Sequence, residues 1–403
     1  DYYLEFIMSQ YILIYLLTIV MALISLVVQR GGGLRMPKCD YLIVAGGTGG
    51  HVFPALSVAL DLIYIGYRVC WLGQAGSLEE KVAAEHKIKF IVRKSPSWYG
   101  GSFLKKAFIF MPLFISIYNM WFELKQLNPK VIVGFGGHIT VPVGLCAWLQ
   151  RRKLLIQEQN LIPGKANKLL SIFADKVMTG YKDTFFNKKN AIYTGNPLRR
   201  DILAAGKKLP PKTSDLASPM KVLILGGSGG SAAMNHIIAD AFDNIGQDFK
   251  IWHQTGKKNK DEIGERYAIS DKDAYVESFI DDMARAYEWA DVVISRAGAL
   301  TISELLAFSK PSILIPNPRC ANNHQLYNAL YLVDQGVASC TLEDTPNVST
   351  EIAGKLMYWF ANPQEYYKVC GAAKSLARFD AVDRVVSLCI SAHEGSDYVK
   401  ASD

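Results

Sequence analysis

The sequence lacks the marks of a metal, redox or disulfide protein. Its seven cysteines, at 39, 70, 146, 320, 340, 370 and 389, never fall at Cys-x-x-Cys spacing, so neither a zinc site nor a disulfide framework is indicated. An odd number of scattered thiols fits a reducing compartment. Charge is sparse, at 20% of residues with a net +7. That is too mild for a nucleic-acid-binding tail, but it suits an anionic membrane surface or a phosphate-bearing substrate. Two glycine-rich turns are present, yet no Lys-Ser/Thr follows either, which removes Walker-type phosphate binding. Neither turn makes a strict dinucleotide fingerprint. Gly47-x-Gly49 leads to Val52, and Gly227-x-Gly229 leads to Ala232. No acidic residue closes the next strand after either one, which disfavours a nicotinamide enzyme.

What is present is an alternation of short apolar runs and helical patterns. The chain has 403 residues, half of them apolar. It can therefore bury large cores, and two α/β domains plus extra segments are expected. Strands are expected at Tyr41–Ala45, Val131–Val133, Leu154–Gln157, Ala191–Tyr193, 222–225, Phe249–His253, Tyr275–Ile280, Val292–Ser295 and Ser312–Ile315. The turns Gly46–His51 and Gly226–Ser231 lie 180 residues apart, each between a strand and a helix. That echo predicts two similar open sheets with ligands between them, at the carboxyl ends of the strands.

The stretch Asp291–Gln325 carries the sharpest local signal. A strand, the turn Ala297-Gly298-Ala299 and a helix form a unit whose free N–H groups and dipole suit an anion. Thr301 and Glu304, three apart, share a helix face. They read either as a phosphate-plus-sugar contact or as a Thr-x-x-Glu capping box.

At the start, 11–28 is an uncharged apolar run at the lower limit for a membrane span, with Arg30 and Arg35 after it. This fits an anchor with the body on the cytoplasmic side; the alternative is a buried core helix. Gly31–Gly33 reads as a joint and Met36 as a fresh start, so 1–35 is expected to be an anchor or fused piece. In 93–111 aromatics alternate with Arg93, Lys94, Lys105 and Lys106. This reads as a surface dipping into a bilayer interface or as a core helix with a basic end. The expected organisation is 36–200 as a first domain, 201–219 as a linker and 220–365 as a second domain. A helical tail, 366–403, packs back on the first.

Taken in order, seven motifs resemble the MurG family of peptidoglycan N-acetylglucosaminyltransferases over roughly Pro37 to Ala392. They are Gly-Gly-Thr-Gly-Gly-His-Val-Phe-Pro-Ala, Glu-Gln-Asn-x-x-Pro-Gly-x-x-Asn, Thr-Gly-Asn-Pro-Leu-Arg, Gly-Gly-Ser-x-Gly, Phe-Ile-Asp-Asp-Met, Ser-Arg-Ala-Gly-Ala-Leu-Thr-x-x-Glu and His-Gln-x-x-Asn-Ala. The resemblance implies a glycosyltransferase-B fold, two Rossmann-like domains facing a cleft, here with an N-terminal apolar helix. It implies inverting transfer of N-acetylglucosamine from its UDP donor to the C4 hydroxyl of an undecaprenyl-linked muramyl peptide, without metal or cofactor. The setting it implies is peripheral, on the cytoplasmic face of the inner membrane, with partners from cell-wall synthesis or division and no nucleic acid.

By the same resemblance His51 is the base, with Thr48, Gly49 and Gly50 in its turn. Phe279 caps the uracil, Ile280 reads it through its backbone, and Met283 lies beside them. Glu304 holds the ribose; Ser228, Leu300 and Thr301 meet the diphosphate; Ala299, His324 and Gln325 face the donor sugar. Asn160 and Arg199 face the cleft from the acceptor side. His138 is not expected to be catalytic, and Arg296 reads as ligand or structural ion pair. The chain departs from the family at Gly229, where Gln is usual, at Ser231 for Ala, and at Gln157 for His. Another UDP-sugar enzyme, such as an epimerase, and a non-catalytic nucleotide-sugar binder are the competing readings.

Overall fold

In the computed structural model the described residues are 38–93, 110–214, 216, 218–227, 230–246 and 249–396, with side chains of the helix Phe110–Leu127 described from 117 onward. The apolar run 11–28 and the stretch 94–109 lie outside them, so the expected N-terminal helix and most of the aromatic-basic surface do as well.

The first sheet contains β1 (Tyr41–Ala45), β2 (Val69–Gly73), β3 (Lys89–Val92), β4 (Val131–Gly136), β5 (Lys153–Glu158), β6 (Lys176–Thr179) and β7 (Ala191–Tyr193). Its order is β3-β2-β1-β4-β5-β6-β7. The second contains β8 (Met220–Leu225), β9 (Phe249–Gln254), β10 (Asp273–Glu277), β11 (Val292–Ser295), β12 (Ser312–Leu314) and β13 (Ala338–Cys340), ordered β10-β9-β8-β11-β12-β13. All pairings are parallel. Strands such as β1 and β4 are buried along their whole length, which is why they read as continuous apolar runs rather than alternations.

Each sheet reverses its strand order once, between β1 and β4 and between β8 and β11. At such a switch point the loops leave in opposite directions and open a crevice beyond the strand ends. The glycine-rich turns come directly after β1 and β8, so both crevices carry one.

Helices cover both faces. Gly49–Tyr64 packs on β1 with Val52, Ala55, Val58, Ala59 and Leu62 buried. In Phe110–Leu127, Ile117, Met120, Leu124 and Leu127 enter the opposite core. The core-helix reading therefore holds for 117–127. Arg93 pairs with the buried Glu123, its Nε 2.5 Å from Oε2, and keeps about a third of its side chain exposed. Among the described residues no helix is long and apolar enough to cross a membrane.

The linker 201–219 opens with a helix, Arg200–Lys208, whose Ile202 is buried in the second half's core. Its Gly206 fits against the Ala307 carbonyl, 3.0 Å from where a Cβ would stand. The tail begins at Pro363 and is two helices, Pro363–Leu376 and Ala381–Glu394. The second lies on the first sheet: Val382, Val385, Val386 and Cys389 join that core, and Tyr41 donates its hydroxyl to the Cys389 carbonyl at 3.1 Å. All seven cysteines are free thiols; five are buried, and Cys320 and Cys340 are partly exposed.

Candidate active site

At the first switch point the turns after β1 and β4 interlock. Gly137 has φ +89°, and a Cβ there would meet the Gly46 carbonyl oxygen at 2.4 Å. Gly47, at φ +105°, turns the chain into the helix. Thr48 is its N-cap residue without a side-chain cap, and Gly49 and Gly50 are its first residues. His51 stands in that first turn. Its Nδ1 is 3.1 Å from the Gly46 carbonyl. A carbonyl only accepts, so Nδ1 carries the proton and Nε2 keeps a lone pair. Nε2 faces Gly136, where a Cβ would come within 2.9 Å. Burial holds the imidazole below its ordinary pKa; Glu158 and the Gly46 carbonyl act the other way, and His324 adds to the lowering. A neutral ring with a free Nε2 is the protonation state a base needs near pH 7.

At the second switch point the helix Ala299–Ala307 opens at Gly298, which provides no side-chain cap. Thr301 is the third residue inside it, so the capping-box reading fails. Its partner Glu304 instead accepts from the Tyr287 hydroxyl at 2.8 Å. The first N–H groups of the helix, at Ala299, Leu300 and Thr301, have no intrahelical acceptor. Glu304 is pushed up to about 6 by burial, with the Tyr287 bond and the Arg199 charge opposing. The Arg199 charge thus reaches Glu304, while its guanidinium lies 5.4 Å over the Phe53 ring of the first half.

Ile280 and Leu300 share one apolar cluster, with Met283 packed against it. Phe279 is 50% exposed at its edge, free to cover a flat ligand. The Ile280 N–H is already bonded to Gln254 Oε1 at 2.9 Å. A base read there meets the carbonyl of Ile280, or displaces Gln254. Ser228 and Gly229 lie outside the described residues. Neighbouring Ser231 accepts from Arg296 Nη2 at 2.5 Å, and Arg296 also pairs with Glu343 and donates to the Ile315 and Pro316 carbonyls. Arg296 is therefore a structural ion-pair partner.

Between the switch points the halves touch through amides. Asn160 is tied at its N–H and Nδ2 to Glu158 Oε1, at 3.0 and 3.2 Å. Its Oδ1 accepts from Asn328 Nδ2 at 3.1 Å. Asn328 also accepts from the Leu161 N–H at 3.0 Å. Asn160 therefore joins the halves. His324 and Gln325 begin the helix that carries Asn328. His324 bonds the Ala321 carbonyl through Nδ1 at 2.8 Å, and Gln325 Oε1 accepts from the Asn317 N–H at 2.9 Å.

Sequence reasoning passed over Glu158, Asn328, Tyr287 and Gln254. Glu158 and Asn328 sit inside quoted motifs, so the signal was there. Tyr287 and Gln254 carry no local mark. Gln157, the departure from His, is fully buried; it donates to Asn196 and accepts from Gln159. His138 is 2.9 Å from Gln74 Nε2.

Comparison with known proteins bears on the family and the fold. Residues 41–179 match the glycosyltransferase family 28 N-terminal domain, and 221–385 its C-terminal domain. The UDP-N-acetylglucosamine–N-acetylmuramyl-(pentapeptide) pyrophosphoryl-undecaprenol N-acetylglucosamine transferase of Coxiella burnetii is 36% identical over 357 residues, 86% of this chain and 97% of that protein. The same enzyme of Shewanella loihica is 38% identical over 356 residues, 87% and 96%. The crystal structure of Acinetobacter baumannii MurG superposes with a TM-score of 0.72 at 29% identity, covering 88% of this chain and all of that one. A Neisseria meningitidis UDP-N-acetylglucosamine 2-epimerase, 14% identical with a TM-score of 0.61 over 87% of this chain and all of that one, shares the fold. Two parallel sheets with paired switch points, both family domains and these relatives lead to one statement: the chain belongs to the MurG family of glycosyltransferases.

Proposed function

We infer that the chain transfers N-acetylglucosamine from UDP-N-acetylglucosamine to the lipid-linked N-acetylmuramyl peptide called lipid I, giving lipid II for peptidoglycan synthesis. One combination supports the reading: at one switch point an imidazole keeps a free Nε2, and at the other a helix begins without a side-chain cap. His51 Nε2 takes the proton from the acceptor C4 hydroxyl, and that oxygen attacks C1 of the donor sugar. The bond from C1 to the phosphate oxygen breaks, and its electron pair leaves on UDP. One displacement inverts the anomeric carbon.

The departing diphosphate gains negative charge, which fixed N–H donors at Ala299–Thr301 stabilise without reorganising. Glu304 suits the ribose hydroxyls, and Phe279 suits the uracil face. In this reading 36–200 takes the acceptor and the membrane surface, with 93–111 at the bilayer, and 220–365 takes the donor. Association with the cytoplasmic face is peripheral, and proteins of cell-wall synthesis or division are its partners there.

The test is transfer of radiolabel from UDP-N-acetylglucosamine to lipid I in detergent or vesicles. A radiolabelled lipid II product is expected. Transfer only to a different acceptor, or epimerisation of the donor without transfer, overturns the reading.

A further inference from the structure

A cavity of about 310 Å³ lies beside the helix Ala299–Ala307. Ile302, Ser303 and Leu306 line it. At about 100° per residue these project from the face of Ala299–Ala307 opposite Thr301 and Glu304. One helix therefore separates the cavity from the donor side. The wall also draws on the segment after β6, with Tyr181 and Lys182, and on the returning tail, with Arg378.

Two of the lining residues each have a polar atom buried without a hydrogen-bond partner, Tyr181 Oη and Arg378 Nε. Tyr181 is only 5% exposed, its ring edge-on to Tyr331 at 5.0 Å. Arg378 holds Asp380 through Nη2 at 3.1 Å, and its guanidinium stacks 5.3 Å over Tyr193. Lys182 Nζ approaches the same ring at 5.9 Å. Both unsatisfied atoms can donate, and leaving a buried donor without an acceptor is costly. Two cations and one acid, Asp183, line the wall. The helix His324–Asp334 ends beside it at Gln335. Asp380 is shared between Arg378 and Arg384, so with Asp380 and Arg384 included three cations still face two acids, and the C-terminal partial charge of the helix, about half a unit, opposes an anion by less than that surplus. The volume is at the small end for ligand pockets.

We propose that this cavity is a second binding site, for a small oxyanion carried as phosphate or carboxylate, whose occupant tunes donor binding through the shared helix. Asn196 strengthens the link: it donates to Ser303 Oγ at 3.2 Å, so the first half grips that helix at the cavity wall. The site is independent of the transfer reaction, because its readout is binding.

The experiment is calorimetric titration of the full chain with inorganic phosphate, in phosphate-free buffer with UDP saturating. One additional site is expected. Arg378→Gln should weaken it about tenfold or more, since a charge-assisted bond is lost. Tyr181→Phe, which removes only a hydroxyl, should weaken it a few-fold, with thermal unfolding close to the parent. Linkage requires phosphate to change the UDP dissociation constant by the factor by which UDP changes that of phosphate. Succinate in a parallel arm separates a carboxylate ligand from a phosphate, the tighter of the two naming the class. Anion binding that only competes with UDP, or that survives both variants unchanged, overturns the site. Anion binding without any effect on UDP overturns the tuning.

Discussion

The two glycine-rich turns look alike in sequence and are held in different ways. Both press against a neighbouring loop through a glycine. Gly137 leaves room for the Gly46 carbonyl, and Gly230, at φ +71°, leaves room for the Thr255 carbonyl, 2.3 Å from its notional Cβ. The first turn delivers a side chain: its helix begins at Gly49, so His51 emerges in the first turn with Nδ1 fixed by Gly46. The second is tied from outside, through Ser231, Arg296 and Glu343. The helix beside it starts on Gly298, with bare N–H groups. One frame thus presents an imidazole in one half and bare N–H groups in the other. The residues just past the glycines make the difference.

Removing the side chain that the first turn delivers should have the largest effect. His51→Ala is expected to lower kcat about 10²–10⁴-fold, with the UDP-N-acetylglucosamine KM within a few-fold, read by lipid II formation. Because burial lowers the His51 pKa, the acid limb of kcat/KM should fall below the ordinary histidine value. A limb above pH 7 would argue against His51 as base.

Next, Gly137→Ala attacks the interlock itself. Its left-handed φ and the Gly46 carbonyl both resist a methyl group, at about 1–3 kcal/mol of strain. A lower thermal midpoint and a loss of turnover larger than the loss of UDP affinity are expected. The second half is tested through Glu304. Its carboxyl is raised to about 6. If the ionised form accepts from the ribose, UDP binding is full above that pH and falls as pH drops through it, by about tenfold per unit. Stability runs the other way. The folded state holds this proton more tightly than the ordinary 4.5, so stability from this group is present below about 4.5 and lost as pH rises through 6. Glu304→Gln should flatten both profiles, measured by calorimetry and thermal melts. Least of all, Ser231→Ala removes one of several Arg296 bonds and should change the UDP-N-acetylglucosamine KM less than about threefold, within a net hydrogen bond's worth.

Much of this was legible because it is local. Runs such as Tyr41–Ala45 and Val292–Ser295 are buried strands with matching bounds, and glycine turns between strand and helix mark the crevices. Local signatures also misled. Thr301 and Glu304 have capping-box spacing, but Gly298 takes the N-cap because the helix starts three residues earlier. Arg200–Lys208 was hidden inside an apparent linker, since its amphipathic face matters only once Ile202 meets the second core. Partners far apart were not readable at all. Asn160 with Asn328, 168 positions apart, and Ile280 with Gln254 depend on folding over long loops, which no window of sequence contains.

The distribution of thiols gives the molecule an internal reporter. Cys146 and Cys389 lie in the cores of the first half and Cys370 in that of the second, while Cys320 and Cys340 reach solvent in part. An alkylating reagent should modify the latter pair in the native state and the others only as their surroundings open. The sequence in which Cys146 and Cys370 acquire label under mild denaturant therefore tells which half loosens first.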